Sequence, residues 1–189
     1  MEKISINNLK NIDLKGKIIA FPTDTVYGVG CKVDDIDAIK KIFEMKNRDY
    51  SKPLAILCPD KNIEKYVLNI SDNAKYLMDK YWPGALTIIF KKSELINDLV
   101  SANLDTVGFR MPNSNIALSV LKQFGIMATT SVNISGSAAL NTSKEIEKEF
   151  SDFIDYMIIE EESLSCISST VVDASGEELH ILRHGDIKL

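Results

Sequence analysis

The chain is 189 residues long, 45% hydrophobic and 26% charged, with a formal net charge of −5. Together with a mean hydropathy of −0.02 and a pI near 5.1, this is enough apolar material for one well-buried domain and excludes a disordered chain. The acidic balance argues against strong sequence-independent binding of nucleic acid, which rests on clustered positive charge, and no apolar run approaches the ~20 residues that span a bilayer.

In chain order, Lys17 to Phe21 reads as a strand ended by Pro22, and Asp34 to Glu44 as a helix with Ile36, Ile39, Ile42 and Phe43 on one stripe. Leu54 to Leu57 is a short buried strand. Ser71 caps a helix carrying Ala74, Leu77, Met78 and Tyr81 at helical spacing. Leu86 to Phe90 and Thr106 to Arg110 read as strands, and Ser114 caps a helix with Ala117, Val120, Leu121 and Phe124 inward. Ile126 to Thr130 is a strand running into a Ser/Asn/Gly loop, and Thr142-x-x-Glu145 is a capping box. Tyr156 to Ile159, Thr170 to Ala174 and Leu179 to Leu182 complete the strands, the last two joined as a hairpin through Ser175-Gly176. Helices and crossovers thus fall early and antiparallel pairing late, in one α/β domain over residues 1–189 with a mixed sheet.

Polar motifs cluster where strands end. Pro22-Thr23-Asp24-Thr25-Val26-Tyr27-Gly28 follows the first strand, and Lys46-Asn47-Arg48 and Ser51-Lys52-Pro53 follow the first helix. The strand at Ile126 delivers Thr129-Thr130-Ser131-Val132-Asn133, while Ser168-Ser169-Thr170 opens a late strand. Only three of the 22 basic residues are arginine, and each stands in such a motif: Arg48, Arg110 in Gly-Phe-Arg-Met-Pro, and Arg183 in Leu-Arg-His-Gly. Guanidinium is a flat fork that grips a carboxylate or phosphate by two parallel bonds, whereas ammonium is a mobile point charge. In α/β sheets ligands bind in crevices beyond strand ends, so the three arginines are expected to meet in one cleft. Residues two apart in extended chain point the same way. On that basis Lys46 and Arg48, placed just past the helix, are expected to face one anion, and Ser131 and Asn133 one ligand.

Other chemistries lack their residues. There is no phosphate-binding Gly-x-x-x-x-Gly-Lys-Ser/Thr loop and no Gly-x-Gly-x-x-Gly turn; Tyr27-Gly28-Val29-Gly30 reads as a glycine-tolerant turn. His180 and His184 have no third metal ligand, and no Gly-x-Ser-x-Gly elbow or Cys/His dyad is present. Cys31, Cys58 and Cys166 form no Cys-x-x-Cys pair, which predicts free thiols in a reducing cytosol, and Met1 to Ser5 has no signal-peptide core. What remains is cations, hydroxyls and an amide, a set suited to binding polyanions while the substrate supplies the nucleophile.

The stretch Phe21 to Leu57, Ser131-Val132-Asn133, Ser169-Thr170-Val171-Val172-Asp173 and Arg183-x-Gly185 together resemble the YrdC family, from about Lys17 to Gly185. The pairing of Lys-x-Arg with Ser-x-Asn and the Pro-Thr-Asp-Thr-Val-Tyr-Gly opening carry the resemblance. It implies an α/β fold with a twisted mixed parallel/antiparallel sheet, flanked by helices, around a concave, positively charged cleft. It also implies a nucleotidyltransferase making L-threonylcarbamoyl-AMP from L-threonine, bicarbonate and ATP with Mg2+, releasing pyrophosphate. This is the first step towards threonylcarbamoyladenosine at position 37 of tRNAs reading codons that begin with A. A separate transferase complex would take the product. The expectation is a cytoplasmic, monomeric, single-domain enzyme ending at Leu189, with weak or no direct tRNA binding and no membrane partner.

By motif, the resemblance places L-threonine against Thr25, the Arg110 fork, the Thr129 backbone and the Ser169 hydroxyl. It places ATP against Arg48, Lys52, Thr106, Ser131, Ala139 and Arg183. Lys46 and Asn133 join Arg48 and Ser131 as the catalytic set, supporting phosphates or metal-bound water. Some archaeal relatives carry a substrate-side histidine where this chain has Leu57. Two other readings stand beside this one: an RNA-binding module with a basic cleft, disfavoured by the acidic pI, and a carbamoyl-transfer domain of the hydrogenase-maturation kind, which shares the fold within much larger chains.

Overall fold

Each main helix begins where a short polar side chain takes up a backbone N–H that no helical carbonyl can reach. In the computed structural model, which describes residues 1–189, Asp35 accepts from the Ala38 N–H at 3.0 Å and opens α1 (Ile36–Lys46). Ser71 and Ser114 likewise open α2 (Asp72–Tyr81) and α4 (Asn115–Phe124). Thr142 opens α5 (Ser143–Phe150), its hydroxyl also donating to the Glu145 carboxylate at 2.6 Å. A four-residue α3 (Asp98–Ser101) lies between α2 and α4. No helix is long and apolar enough to cross a membrane.

The ten strands are β1 (Glu2–Ile4), β2 (Ile19–Pro22), β3 (Tyr27–Lys32), β4 (Ala55–Leu57), β5 (Leu86–Lys91), β6 (Thr106–Arg110), β7 (Met127–Ser131), β8 (Tyr156–Ile158), β9 (Thr170–Asp173) and β10 (His180–Arg183). They form one sheet in the order β1-β8-β2-β3-β7-β4-β6-β5-β9-β10. Pairing is mixed, as expected, but its distribution along the chain is not. The late strands β8 and β9 pair in parallel with β2 and β5, while β2–β3 is already antiparallel. Only the β9–β10 hairpin fits the local pairing anticipated for the C-terminal third, with a bulge between Ile181 and Arg183. The chain returns to both flanks of a sheet begun earlier, and such long-range pairing leaves no local trace in the sequence.

Tyr27-Gly28-Val29-Gly30 is a strand in the middle of the sheet, not a turn. A Cβ on Gly30 would stand 2.5 Å from the Thr129 methyl of the neighbouring strand, so glycine is needed there for close approach.

The two faces of the sheet are covered unequally. One face, with Val29, Ile56, Ile88, Phe90, Phe109 and Ala128, packs against α1, α2, α3 and α5 in a core of 36 buried residues. The other face is covered over Ile19, Phe21, Leu57, Met127 and Ile158 by Ile116, Ala117, Val120 and Leu121 of α4. Beyond α4 that second face is bare, and the bare part is the cleft.

Candidate active site

The cleft encloses about 590 Å3, within the size range of small-molecule sites. Its floor follows from strand alternation, since residues two apart share a face. Thr87 and Ile89 of β5 and Gly108 and Arg110 of β6 all point into it, as do Thr129 and Ser131 of β7, and the cross-strand register brings Ile89 opposite Gly108 and Ala55 opposite Thr129. Arg183 arrives on β10 opposite Val171. Arg48, Arg110 and Arg183 therefore meet in one cavity, with Lys52 as its fourth cation and no carboxylate among the 25 lining residues.

Each arginine is braced by protein oxygens. Arg48 donates from Nε to the Lys52 carbonyl at 3.1 Å and from Nη2 to the Pro53 carbonyl at 2.8 Å. Arg183 donates from Nε to the Ser169 carbonyl at 3.0 Å and from Nη2 to the Ser169 hydroxyl at 3.1 Å. Arg110 is the most buried: its Nε donates to the Gly84 carbonyl at 3.0 Å, its Nη1 to the Thr25 hydroxyl at 2.8 Å, and its Nη2 pairs with Asp24. Burial pulls all three guanidinium pKa values down, against which Asp24 pulls Arg110 up. Arginine stays protonated throughout, so each retains N–H donors for an anionic ligand.

The Pro-Thr-Asp-Thr segment folds around Thr23. Its hydroxyl donates to the Val26 carbonyl at 2.7 Å, accepts from the Thr25 N–H at 3.1 Å and lies 3.0 Å from the Thr25 hydroxyl. This turn aims Asp24 and Thr25 at Arg110. At the cleft's other side Gly185 sits against the backbone of Ser168 and Ser169, where any Cβ would collide. Arg183-x-Gly185 thus lets β10 approach β9 closely enough for Arg183 to reach Ser169.

Of the residues singled out by sequence, Thr25, Arg48, Lys52, Thr106, Arg110, Thr129, Ser131, Ser169 and Arg183 line the cavity. Lys46, Asn133 and Ala139 do not. Lys46 was expected in extended chain beside Arg48; instead it is the last residue of α1. Asn47 follows in the left-handed region at φ 47°. The Asn47 N–H bonds to the Glu44 carbonyl and the Arg48 N–H to that of Phe43, a Schellman ending that turns the chain sharply. Lys46 and Arg48 therefore diverge.

The Lys46 ammonium runs inward and donates to the Ser131 carbonyl at 2.5 Å and to the Asn133 carbonyl and Oδ1, both at 2.9 Å. All three of its donors are used. Burial first, and the Arg48 charge second, push its pKa down to about 7. Asn133 is equally committed: its amide donates to the carbonyls of Ile134 and Ser137, and its Oδ1 accepts from both Lys46 and the Ser131 hydroxyl. Ser131 and Asn133 do share one partner, but it is Lys46 from behind the cleft wall. Ala139 is partly buried in the loop that follows.

Sequence reasoning missed Asp24 and Thr87. Asp24 stands inside the Pro-Thr-Asp-Thr motif, but nothing local shows that it pairs with Arg110, 86 positions away. Thr87 is the lone polar residue in Leu86-Thr87-Ile88-Ile89-Phe90, a cleft-facing signal hidden because both faces of a central strand read as apolar. Leu57 lines the cavity with an apolar surface.

The family described as "Telomere recombination" (Sua5_yciO_yrdC) matches residues 12–185. The chain is 38% identical to the putative threonylcarbamoyl-AMP synthase of Methanocaldococcus jannaschii, over 96% of this chain and 86% of that protein. It is 35% identical to the threonylcarbamoyl-AMP synthase of Pyrococcus abyssi, over 93% of this chain and 52% of that protein. The crystal structure of P. abyssi Sua5 complexed with L-threonine superposes with a TM-score of 0.90 at 33% identity, covering 97% of this chain and 56% of that one. The chain thus spans about half the length of the Pyrococcus relative. Motifs, mixed-sheet topology and the match over residues 12–185 agree, and the chain belongs to the Sua5/YciO/YrdC family.

Proposed function

We propose that this chain synthesises L-threonylcarbamoyl-AMP from L-threonine, bicarbonate and ATP with release of pyrophosphate, the first step of threonylcarbamoyladenosine formation in tRNA. The observation that carries this reading is the meeting of Arg48, Arg110 and Arg183 with Lys52 in one cleft whose hydroxyls have no histidine, cysteine or carboxylate beside them in the lining to make a protein nucleophile. The threonine amine attacks the carbon of bicarbonate and water leaves, and the carbamate so formed supplies the nucleophile. Its oxygen attacks the α-phosphorus of ATP, the bond to the bridging oxygen breaks, and pyrophosphate carries away the electron pair. The protein's task is to hold a carboxylate, a carbamate and a triphosphate together despite their repulsion.

In this reading Arg110, Thr25, Ser169 and the Thr129 backbone hold threonine, while Arg48, Lys52, Thr106, Ser131 and Arg183 hold ATP. Lys46 and Asn133 fix the Ser131 loop rather than touch phosphate. No three His, Cys, Asp or Glu side chains are placed to hold a metal ion together. The cleft lining offers hydroxyls and cations but no carboxylate, so a magnesium ion would be carried by the phosphate oxygens of ATP and by water, where it would offset phosphate charge. The product passes to a separate transferase. The test is pyrophosphate release with ATP and Mg2+, omitting threonine or bicarbonate in turn. Release is expected to need both, and release indifferent to either omission overturns the reading.

A further inference from the structure

Thr87 is 6% exposed on β5, and its hydroxyl lies 2.8 Å from that of Ser169, the one protein group it bonds. Its methyl is seated over Gly108 of β6, where an added Cβ would stand 3.0 Å away, so the hydroxyl is turned towards β9. Ser169, also 6% exposed, accepts from Arg183 Nη2 at 3.1 Å. A serine hydroxyl has two lone pairs and one proton. If Ser169 donated to Thr87, the buried Thr87 proton would lack a protein partner. With Thr87 donating, both Ser169 lone pairs are filled, one by Thr87 and one by Arg183, and its single O–H is left for the cavity that both residues line.

We infer that Thr87 is a positioning residue that, together with Arg183, sets the Ser169 hydroxyl as a hydrogen-bond donor to an oxygen of the amino-acid substrate. Because the same Ser169 anchors Arg183, the amino-acid and nucleotide sides of the cleft share one hydroxyl. The inference rests on the reading of Ser169 as a threonine-side group.

Thr87→Val keeps the shape and removes the donor. Its KM for threonine is expected to rise about tenfold, the effect of one hydrogen bond to a charged acceptor, with kcat, KM for ATP and melting temperature little changed. Thr87→Ser restores the hydroxyl and is expected to restore KM. In a Ser169→Ala background Thr87→Val is expected to add nothing further. An unchanged KM in Thr87→Val, or an undiminished effect of that change without the Ser169 hydroxyl, overturns the inference. Should the wild-type protein release no threonine-dependent pyrophosphate, the functional reading falls separately. A crystal structure of Thr87→Val then decides the network by itself: Ser169 redistributed among rotamers upholds the role, and an unmoved Ser169–Arg183 pair overturns it.

Discussion

Arg110 is held by three protein oxygens, those of Gly84, Thr25 and Asp24, which set the plane of its guanidinium. A lysine at this position can offer charge but not the planar fork. Arg110→Lys should therefore raise the KM for threonine by one to two decades, roughly the 1.5–3 kcal/mol of a charge-assisted bond. Steady-state kinetics at saturating ATP measures this, and an unchanged KM removes the carboxylate role. Lys46 makes a pH prediction. Its folded pKa of about 7 lies below the ordinary lysine value of 10.5, so between those values the unfolded chain binds more protons. Stability then rises with pH across that window, and the penalty of burying the charge is felt in full below pH 7. Urea unfolding at pH 7 and 9 should show wild type gaining on Lys46→Met. A flat difference would mean that the three oxygen acceptors keep the ammonium charged.

At the scale of elements, the end of α1 matters most. Asn47 turns the chain through the left-handed region, sending Lys46 behind the wall and Arg48 into the cleft. Glycine adopts that conformation freely, whereas a β-branched residue pays about 1–2 kcal/mol. Asn47→Gly should leave stability and the KM for ATP near wild type. Asn47→Val should lower the urea midpoint and raise that KM, because Arg48 loses its bracing on Lys52 and Pro53. The β3–β7 pair is the second sensitive element. Gly30→Val drives a side chain into the Thr129 methyl, an overpacking that costs roughly 1–3 kcal/mol. Equilibrium denaturation measures it.

For the whole molecule, α4, with Leu9 and Leu14 beside it, covers part of one sheet face, and the cleft opens beyond it. Leu121, fully buried under that cover, should cost about 2–5 kcal/mol when cut to alanine. Because Leu121 lies outside the cleft lining, both KM values should hold while the denaturation midpoint falls. A parallel change in either KM would show that the α4 cover and the cleft are coupled.

Hydrophobic periodicity and capping residues made most helices and strands legible, with Ser71, Ser114 and Thr142 capping where read and ends shifted by only a residue or two. The scarcity of arginine, together with its polar neighbours, also foretold that Arg48, Arg110 and Arg183 would share a site. Tyr27 to Gly30 could not be read as a strand, because Gly30 is explained by Thr129, about a hundred residues away. The directions of Lys46, Asp24 and Thr87 were equally hidden. Local pattern reports what each residue buries and how the backbone turns. Which side chains meet across the sheet depends on register between strands far apart in sequence, and only the tertiary structure decides that.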